Sequence, residues 1–235
     1  VVIVFLNFVV SKFGPVAIFM LLTRTFASYG VEHLKPAVAY VILTVVLLLI
    51  FLIVGYPAFI AVFAHLNPFK FAKKITRVAV FGFSTSSSAA TLPLNVKTTV
   101  EELGVDEKIA SFVLPLGMTI NMNGTAIMQV IATLFIAGCA GYQISFTQLV
   151  VIALLALIAS AGTPAAPGSG AIILFTILSG LGYVNDAAML AYSLILAINR
   201  PIEMLVTALN VVGDSATSIY VAKSEGALNE DVYNA

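Results

Sequence analysis

Asp214 lies in an apolar stretch directly after Gly213 and one helical turn after Asn210, with no basic residue on its own helical face. A buried carboxylate without a basic neighbour requires a cation or a proton. Asn121-Met122-Asn123-Gly124-Thr125 supplies the complementary chemistry. A helix broken at Asn121 frees backbone carbonyls, which are hard oxygen ligands. Together the two segments describe a sodium site. Arg200 and Glu203 precede Asp214 in the same stretch. Ionisable groups at membrane depth are costly and usually functional. They read either as an ion pair one turn apart or as contacts for a solute. Ser86-Ser87-Ser88 also has two readings. Small residues permit close helix packing, whereas the N–H groups and hydroxyls of a half-helix tip hold an anion such as a carboxylate. Thr125 and Thr207 offer further hydroxyls. The run Gly162-Thr163-Pro164-Ala165-Ala166-Pro167-Gly168-Ser169-Gly170 reads as a mobile gate or as a passive turn.

These residues need membrane elements to position them. Residues 109–185 contain no Asp, Glu, Lys, Arg or His. The chain is 60% hydrophobic and 9% charged, with a mean hydropathy of +1.08. Soluble domains carry roughly 25% charged residues, so the surplus apolar surface must face lipid. A helix through residues 1–22 is expected to kink at Pro15, followed by a polar connection. Pro36 to Ala64 is long enough for one tilted span. Lys70, Lys73, Lys74 and Arg77 place the next loop in the cytoplasm by the positive-inside rule. Val78 to Val96 carries the serine cluster in its middle, and the arms on either side are too short to span, which predicts a re-entrant hairpin. Ile109 to Gly141 spans, broken at Asn121–Thr125. Leu149–Ala161 and Ala171–Tyr183 each reach only about 20 Å, against a core of roughly 30 Å. A second hairpin is therefore expected, entering from the opposite side. Ala187 to Ala222 is the last span, and Lys223 to Ala235 a polar tail.

The order hairpin, then helix bearing Asn-x-x-Gly-[Thr/Asp], occurs twice, at Asn121–Thr125 and Asn210–Asp214. Inverted repeats with broken helices are the architecture of secondary transporters, with the site at the repeat interface. A net charge of +0 gives no reason to expect nucleic acid. Cys139 is alone, which excludes an intramolecular disulfide, and it reads as a small buried hydrophobe. His33 and His65 sit at span edges and read as interfacial. An intramembrane hydrolase is disfavoured. Ser169 would lack a base, since no His follows His65, and Asp214 has no second intramembrane Asp.

The serine-rich Ser86–Pro93, Asn121-Met122-Asn123-Gly124-Thr125, the Gly162–Gly170 tip and Asn210-Val211-Val212-Gly213-Asp214 resemble, in that order, the glutamate-transporter-homologue family of dicarboxylate/amino acid:cation symporters. The resemblance covers essentially the whole chain. It implies an all-α membrane protein of the inner (cell) membrane and not an enzyme. The fold would be an inverted repeat of re-entrant hairpin plus broken helix, moving as an elevator, and homotrimeric when full length. The chain corresponds to the C-terminal part from about the fifth span. Residues 1–34 are then a scaffold-type helix and loop. Residues 35–222 are transport-domain elements: span 35–66, hairpin 68–100, broken helix 107–141, hairpin 143–183 and last span 186–222. Residues 223–235 are the tail.

The resemblance further implies one sodium site from Gly117, Asn121, Asn210 and Asp214, and a second from Thr119, Ser160, Ala161 and Thr163. The family's third site uses an Asp where this chain has Asn123, so two sites are expected. Substrate contacts implied are Ser87, Ser88, Thr125, Ala166, Gly170, Glu203, Thr207 and Asn210. Acidic-substrate members carry an Arg where this chain has Val206, which points to a small neutral amino acid. Arg200 keeps a dicarboxylate or acidic amino acid open, Glu203 keeps proton coupling open, and a non-transporting fragment is a further alternative.

Overall fold

The computed structural model describes residues 34–235 and, before them, positions 16, 19, 20 and 23 alone. The expected first helix, its kink at Pro15 and His33 lie outside the described residues. Among those residues the regular secondary structure is helical, apart from one isolated antiparallel bridge between Val105 and Leu228.

The first span is α1 (Leu34–Ile50), a single π turn (Phe51–Gly55) and α2 (Tyr56–Phe63). Pro57 explains the π turn: it has no N–H to donate, and its ring would clash with the carbonyl four residues back. Most large apolar side chains of this span, Leu43, Ile50, Ile53 and Val62 among them, face outward. The first hairpin is α3 (Pro68–Thr85) and α4 (Ser88–Glu101). Asn67 caps α3 by accepting the N–H groups of Phe69 and Lys70, and Ser87 caps α4 by accepting that of Ala90. The second hairpin is α7 (Phe146–Ala161) and α8 (Ser169–Leu181), begun by a reciprocal Ser145–Gln148 capping box. Between the hairpins run α5 (Glu107–Ile120) and α6 (Asn123–Cys139).

The last span differs from expectation in two ways. Residues 186–222 are not one helix: α9 (Asp186–Ile198) ends at Asn199, and α10 (Arg200–Ser224) begins anew. Pro201 cannot donate to the carbonyl of Ala197, so the ladder is interrupted there. The second Asn-x-x-Gly motif, in contrast to the first, stays helical, since α10 is continuous through Asn210–Asp214.

Helix α10 is the central post. It packs against α3, α4, α5 and α6, and buries Glu203, Thr207, Asn210, Asp214, Ser215 and Ser218. Gly82 lets α3 approach it, since a Cβ there would stand 2.9 Å from Val211 Cγ2. Asn95 of α4 donates to the Val211 carbonyl (3.0 Å) and accepts from the Ser215 hydroxyl (2.5 Å). The Thr99 and Ser215 hydroxyls share a further bond (3.1 Å). These buried groups satisfy one another, so polarity inside the bundle is not penalised.

The bases of the two hairpins lie at different ends. At one end Tyr142 stacks on Tyr183 (4.3 Å) and donates to the Gly182 carbonyl, and Asn185 donates to the Ala140 carbonyl. At the other end the expected polar tail is folded. It turns back through Gly226 into α11 (Glu230–Asn234), where Tyr233 is fully buried and donates to the Asn67 carbonyl (2.8 Å). Lys74 donates to the carbonyls of Glu102, Val232 and Tyr233, Lys70 to that of Asn234, and Lys223 pairs with Glu230. The basic residues in the first turns of α3 thus anchor the tail. Burial pushes the Tyr233 phenol up to about 12, so it stays a neutral donor at ordinary pH. Cys139, expected inside, is exposed beside the groove between α1 and α6. It is the last residue of α6 and extends beyond the packing of that helix.

Candidate functional site: an ion corner and a solute cavity

The α5–α6 break builds the first half of the site. In a continuous helix the Ile120 carbonyl would accept from Gly124 N–H. Here it accepts from Met122 N–H (3.0 Å), and Gly124 N–H donates to Asn210 Oδ1 of α10 (2.8 Å). Gly124 is required by the approach itself: a Cβ would lie 2.9 Å from the Val206 carbonyl oxygen. Asn210 returns the contact, its Nδ2 donating to Thr125 Oγ1 (3.1 Å) and facing Met122 Sδ (3.2 Å).

Beside this junction Asp214 is buried, and Asn121 Nδ2 donates to its Oδ1 (2.9 Å). Asn123 Nδ2 donates in turn to Asn121 Oδ1 (2.8 Å) and to the Tyr56 hydroxyl (3.1 Å). The Asn123 and Asn121 amides form a donor chain that ends on Asp214, and Asn123 also donates outward to the Tyr56 hydroxyl. Gly117 and Gly213 give the corner its tightness. A Cβ on Gly117 would lie 2.7 Å from Asp214 Oδ1, and one on Gly213 would lie 2.7 Å from Asn121 Nδ2 and collide with the Tyr56 hydroxyl. Gly213→Ala is therefore expected to destabilise the protein by about 1–3 kcal/mol through overpacking, seen as a lower thermal midpoint.

The second half is a small, partly open cavity between the two hairpin tips, α6 and α10. The tips meet: Ser87 Oγ donates to the Ala165 carbonyl (2.9 Å). Ser88, Thr125, Ala166, Gly170, Glu203, Thr207 and Asn210 all line the cavity, as does Val206. Glu203 is its one ionisable side chain. Arg200 is exposed and forms no ion pair with Glu203 among the described residues. Of the two readings of Arg200 and Glu203, the ion pair is not formed: Glu203 Oε1 accepts Ala171 N–H (3.3 Å) at the start of α8. A carboxylate there meets an unsatisfied N–H and the positive end of the helix. The start of α8 is held from two other sides, by Gln129 Nε2 on the Gly170 carbonyl (3.1 Å) and by Tyr192 on the Ala171 carbonyl (3.1 Å).

The residues expected to form the sodium sites divide. Gly117, Asn121 and Asp214 are in contact, with Asn210 one turn below Asp214. Among the described residues no hydrogen bond joins Thr119 to Ser160, Ala161 or Thr163. Thr119 is exposed and bonded to Leu116 of its own helix, and Ala161 is exposed. Ser160 and Thr163 are buried, and their hydroxyls bond to carbonyls of their own helix. Reading the sequence for charge and serine clusters misses Tyr56, Met122 and Gln129. The signal available for them was a lone polar or sulfur-bearing side chain within an apolar span.

The sequence matches the sodium:dicarboxylate symporter family over residues 1–224. It is 31% identical to the proton/sodium-glutamate symport protein of Bacillus caldotenax over 94% of this chain and 51% of that protein. It is 34% identical to human excitatory amino acid transporter 1 over 75% of this chain and 32% of that protein. An excitatory amino acid transporter of Caenorhabditis elegans is 35% identical over 69% of this chain and 32% of its own length. The chain thus spans from about a third to about half of the relatives it matches. The family is one of sodium-coupled membrane transporters and not of enzymes, and the apolar helices described above are those of a multi-pass membrane protein. Matched over residues 1–224, and carrying a break at Asn121 opposite Asp214, the chain belongs to the sodium:dicarboxylate symporter family.

Proposed function

We propose that this chain carries the transport domain of a symporter that couples inward sodium movement to uptake of a small neutral amino acid by alternating access. Residues 35–222 would move as an elevator in a homotrimer. One sodium ion would be held by the Asp214 carboxylate with carbonyls of Gly117, Asn121 and Asn210. A second would be held by carbonyls of Thr119, Ser160, Ala161 and Thr163 as the second hairpin closes. The ammonium of the solute pairs with Glu203, and its carboxylate lies toward the serine tip, in reach of Ser88 and Thr125.

The observation that carries the choice of solute is the cavity wall: it offers one carboxylate, Glu203, and no Lys, Arg or His, with apolar Val206 beside it. A second carboxylate on the solute would enter without a counter-charge, at a cost of several kcal/mol. Competition binding in sodium tests this: L-alanine or L-serine should displace bound solute at far lower concentration than L-aspartate or succinate. A second reading, an acidic amino acid or dicarboxylate, is supported by the printed names of the relatives, which are glutamate and excitatory amino acid transporters. Arg200, at the start of the helix that bears Glu203, would serve it. Preference for the dianion, lost in Arg200→Ala, would establish that reading and exclude the first.

A further inference from the structure

Asn199 stands where α9 gives way to α10, one turn before Glu203, and its carbonyl accepts Glu203 N–H (3.0 Å). Residues four apart on a helix share a face, and both side chains are buried. The Asn199 amide is thus a close neighbour of the Glu203 carboxylate. An amide has two ends of opposite character: its nitrogen donates to a carboxylate, whereas its oxygen is an acceptor and repels one. Which end faces Glu203 has to be decided by something else that touches Asn199.

Tyr40 of α1 touches it. The Tyr40 side chain is buried, with its ring against Phe135 of α6 (5.4 Å between centroids), and its hydroxyl donates to Asn199 Oδ1 (2.7 Å). With the oxygen engaged there, the amide nitrogen turns the other way. It faces Met128 Sδ (3.7 Å), on the cavity wall, and the Glu203 carboxylate. From another side the same carboxylate receives Ala171 N–H at the start of α8. An ionised carboxylate has about four acceptor positions. Donors from α8 and from Asn199 fix its orientation and leave acceptor capacity over for a ligand in the cavity.

We propose that Tyr40 is a positioning residue for solute binding: by fixing the Asn199 amide it holds Glu203 in the orientation that receives the ammonium of the transported molecule. The proposal rests on the amino-acid reading above. It gives the first span, which contributes no side chain to the cavity wall, a part in affinity through a single hydroxyl.

The test is a double-mutant cycle, read by titrating the intact protein with L-alanine in saturating sodium, on wild type, Tyr40→Phe, Asn199→Leu and the two combined. Tyr40→Phe keeps the ring and removes only the hydroxyl. Affinity should fall about 2- to 12-fold, the range of one neutral hydrogen bond. In the Asn199→Leu background no amide is left to orient, so the same change should cost nothing; Asn199→Ala closes the cycle if leucine is not accommodated. The thermal shift produced by sodium alone should be that of wild type in Tyr40→Phe. Unchanged affinity in Tyr40→Phe would overturn the proposal and leave the amino-acid reading standing. An equal fall in both backgrounds, or a fall accompanied by loss of the sodium shift, would assign Tyr40 a structural role and overturn it equally. Wild type that binds neither L-alanine, L-serine nor L-aspartate in sodium would remove the underlying reading, and the role of Tyr40 with it.

Discussion

Asp214→Asn should remove the stabilisation that sodium confers at this corner while leaving the protein folded. The asparagine carbonyl oxygen can still accept from Asn121 Nδ2, so the corner of Asn121, Asn123 and Tyr56 keeps its hydrogen bonds. What disappears is the negative charge, which is the cation's reason for binding. In wild type, sodium at about 100 times its dissociation constant should stabilise the folded state by about 2.7 kcal/mol. In Asp214→Asn the share of that stabilisation due to this site should vanish. Asp214→Ala loses it too and also strands the Asn121 amide, at a further cost of about 1–3 kcal/mol. A thermal melt with sodium and with an equal concentration of choline separates the two effects. A sodium shift of wild-type size in Asp214→Asn would remove Asp214 from the ion site.

Glu203→Gln should cost the amino acid its anchor without opening the second hairpin. Glu203 does two things in the proposed mechanism. Its Oε1 receives Ala171 N–H at the start of α8, and its charge faces the cavity as the partner for an ammonium. A glutamine oxygen retains the first function and loses the second. Truncating one partner of a buried, hydrogen-bonded charge pair costs about 2–5 kcal/mol, which corresponds to roughly 30-fold to several-thousand-fold in affinity. Glu203→Ala should weaken binding too, and should additionally free the start of α8, raising protease sensitivity near Gly162–Gly170. Calorimetric titration with L-alanine, paired with limited proteolysis, reads both. Full affinity in Glu203→Gln would show that no ammonium meets this side chain.

The break at Asn121 and the half-length hairpins were legible in the sequence because each is a local event. Consecutive polar and glycine residues interrupt an apolar run, and an arm of about 20 Å cannot cross a core of roughly 30 Å. The clustering of Ser88, Thr125, Gly170, Glu203 and Asn210 around one cavity was legible only through the resemblance, which supplied the pairing between distant segments. The π turn at Phe51–Gly55 left a trace in Gly55-Tyr56-Pro57, where proline must disturb the ladder, but the trace does not say that Tyr56 ends beside Asn123. The same proline rule at Pro201 marks the division of α9 from α10. The docking of the tail was not legible, because a polar composition says nothing of long-range contacts. Tyr233, one aromatic among thirteen mostly polar residues, is what docks it. Of the two readings of Arg200 and Glu203, the ion pair is absent for a physical reason: Arg200 opens α10 at its exposed end, whereas Glu203 faces inward to an N–H that needs an acceptor. Spacing along a helix permits an ion pair but does not outweigh a buried, unpaired donor.

The ion corner and the solute cavity share residues. Asn210 touches Thr125 and Gly124 on the cavity side and precedes Asp214 by one turn on the other. Two ligands that order one junction favour each other's binding, and the coupling is reciprocal, typically about 5- to 150-fold. The most direct test is therefore the dissociation constant of L-alanine for the intact protein, measured at low and at saturating sodium with ionic strength held by choline. Sodium coupling at this junction predicts an affinity at least about fivefold higher in saturating sodium; the same affinity at both sodium concentrations would contradict it.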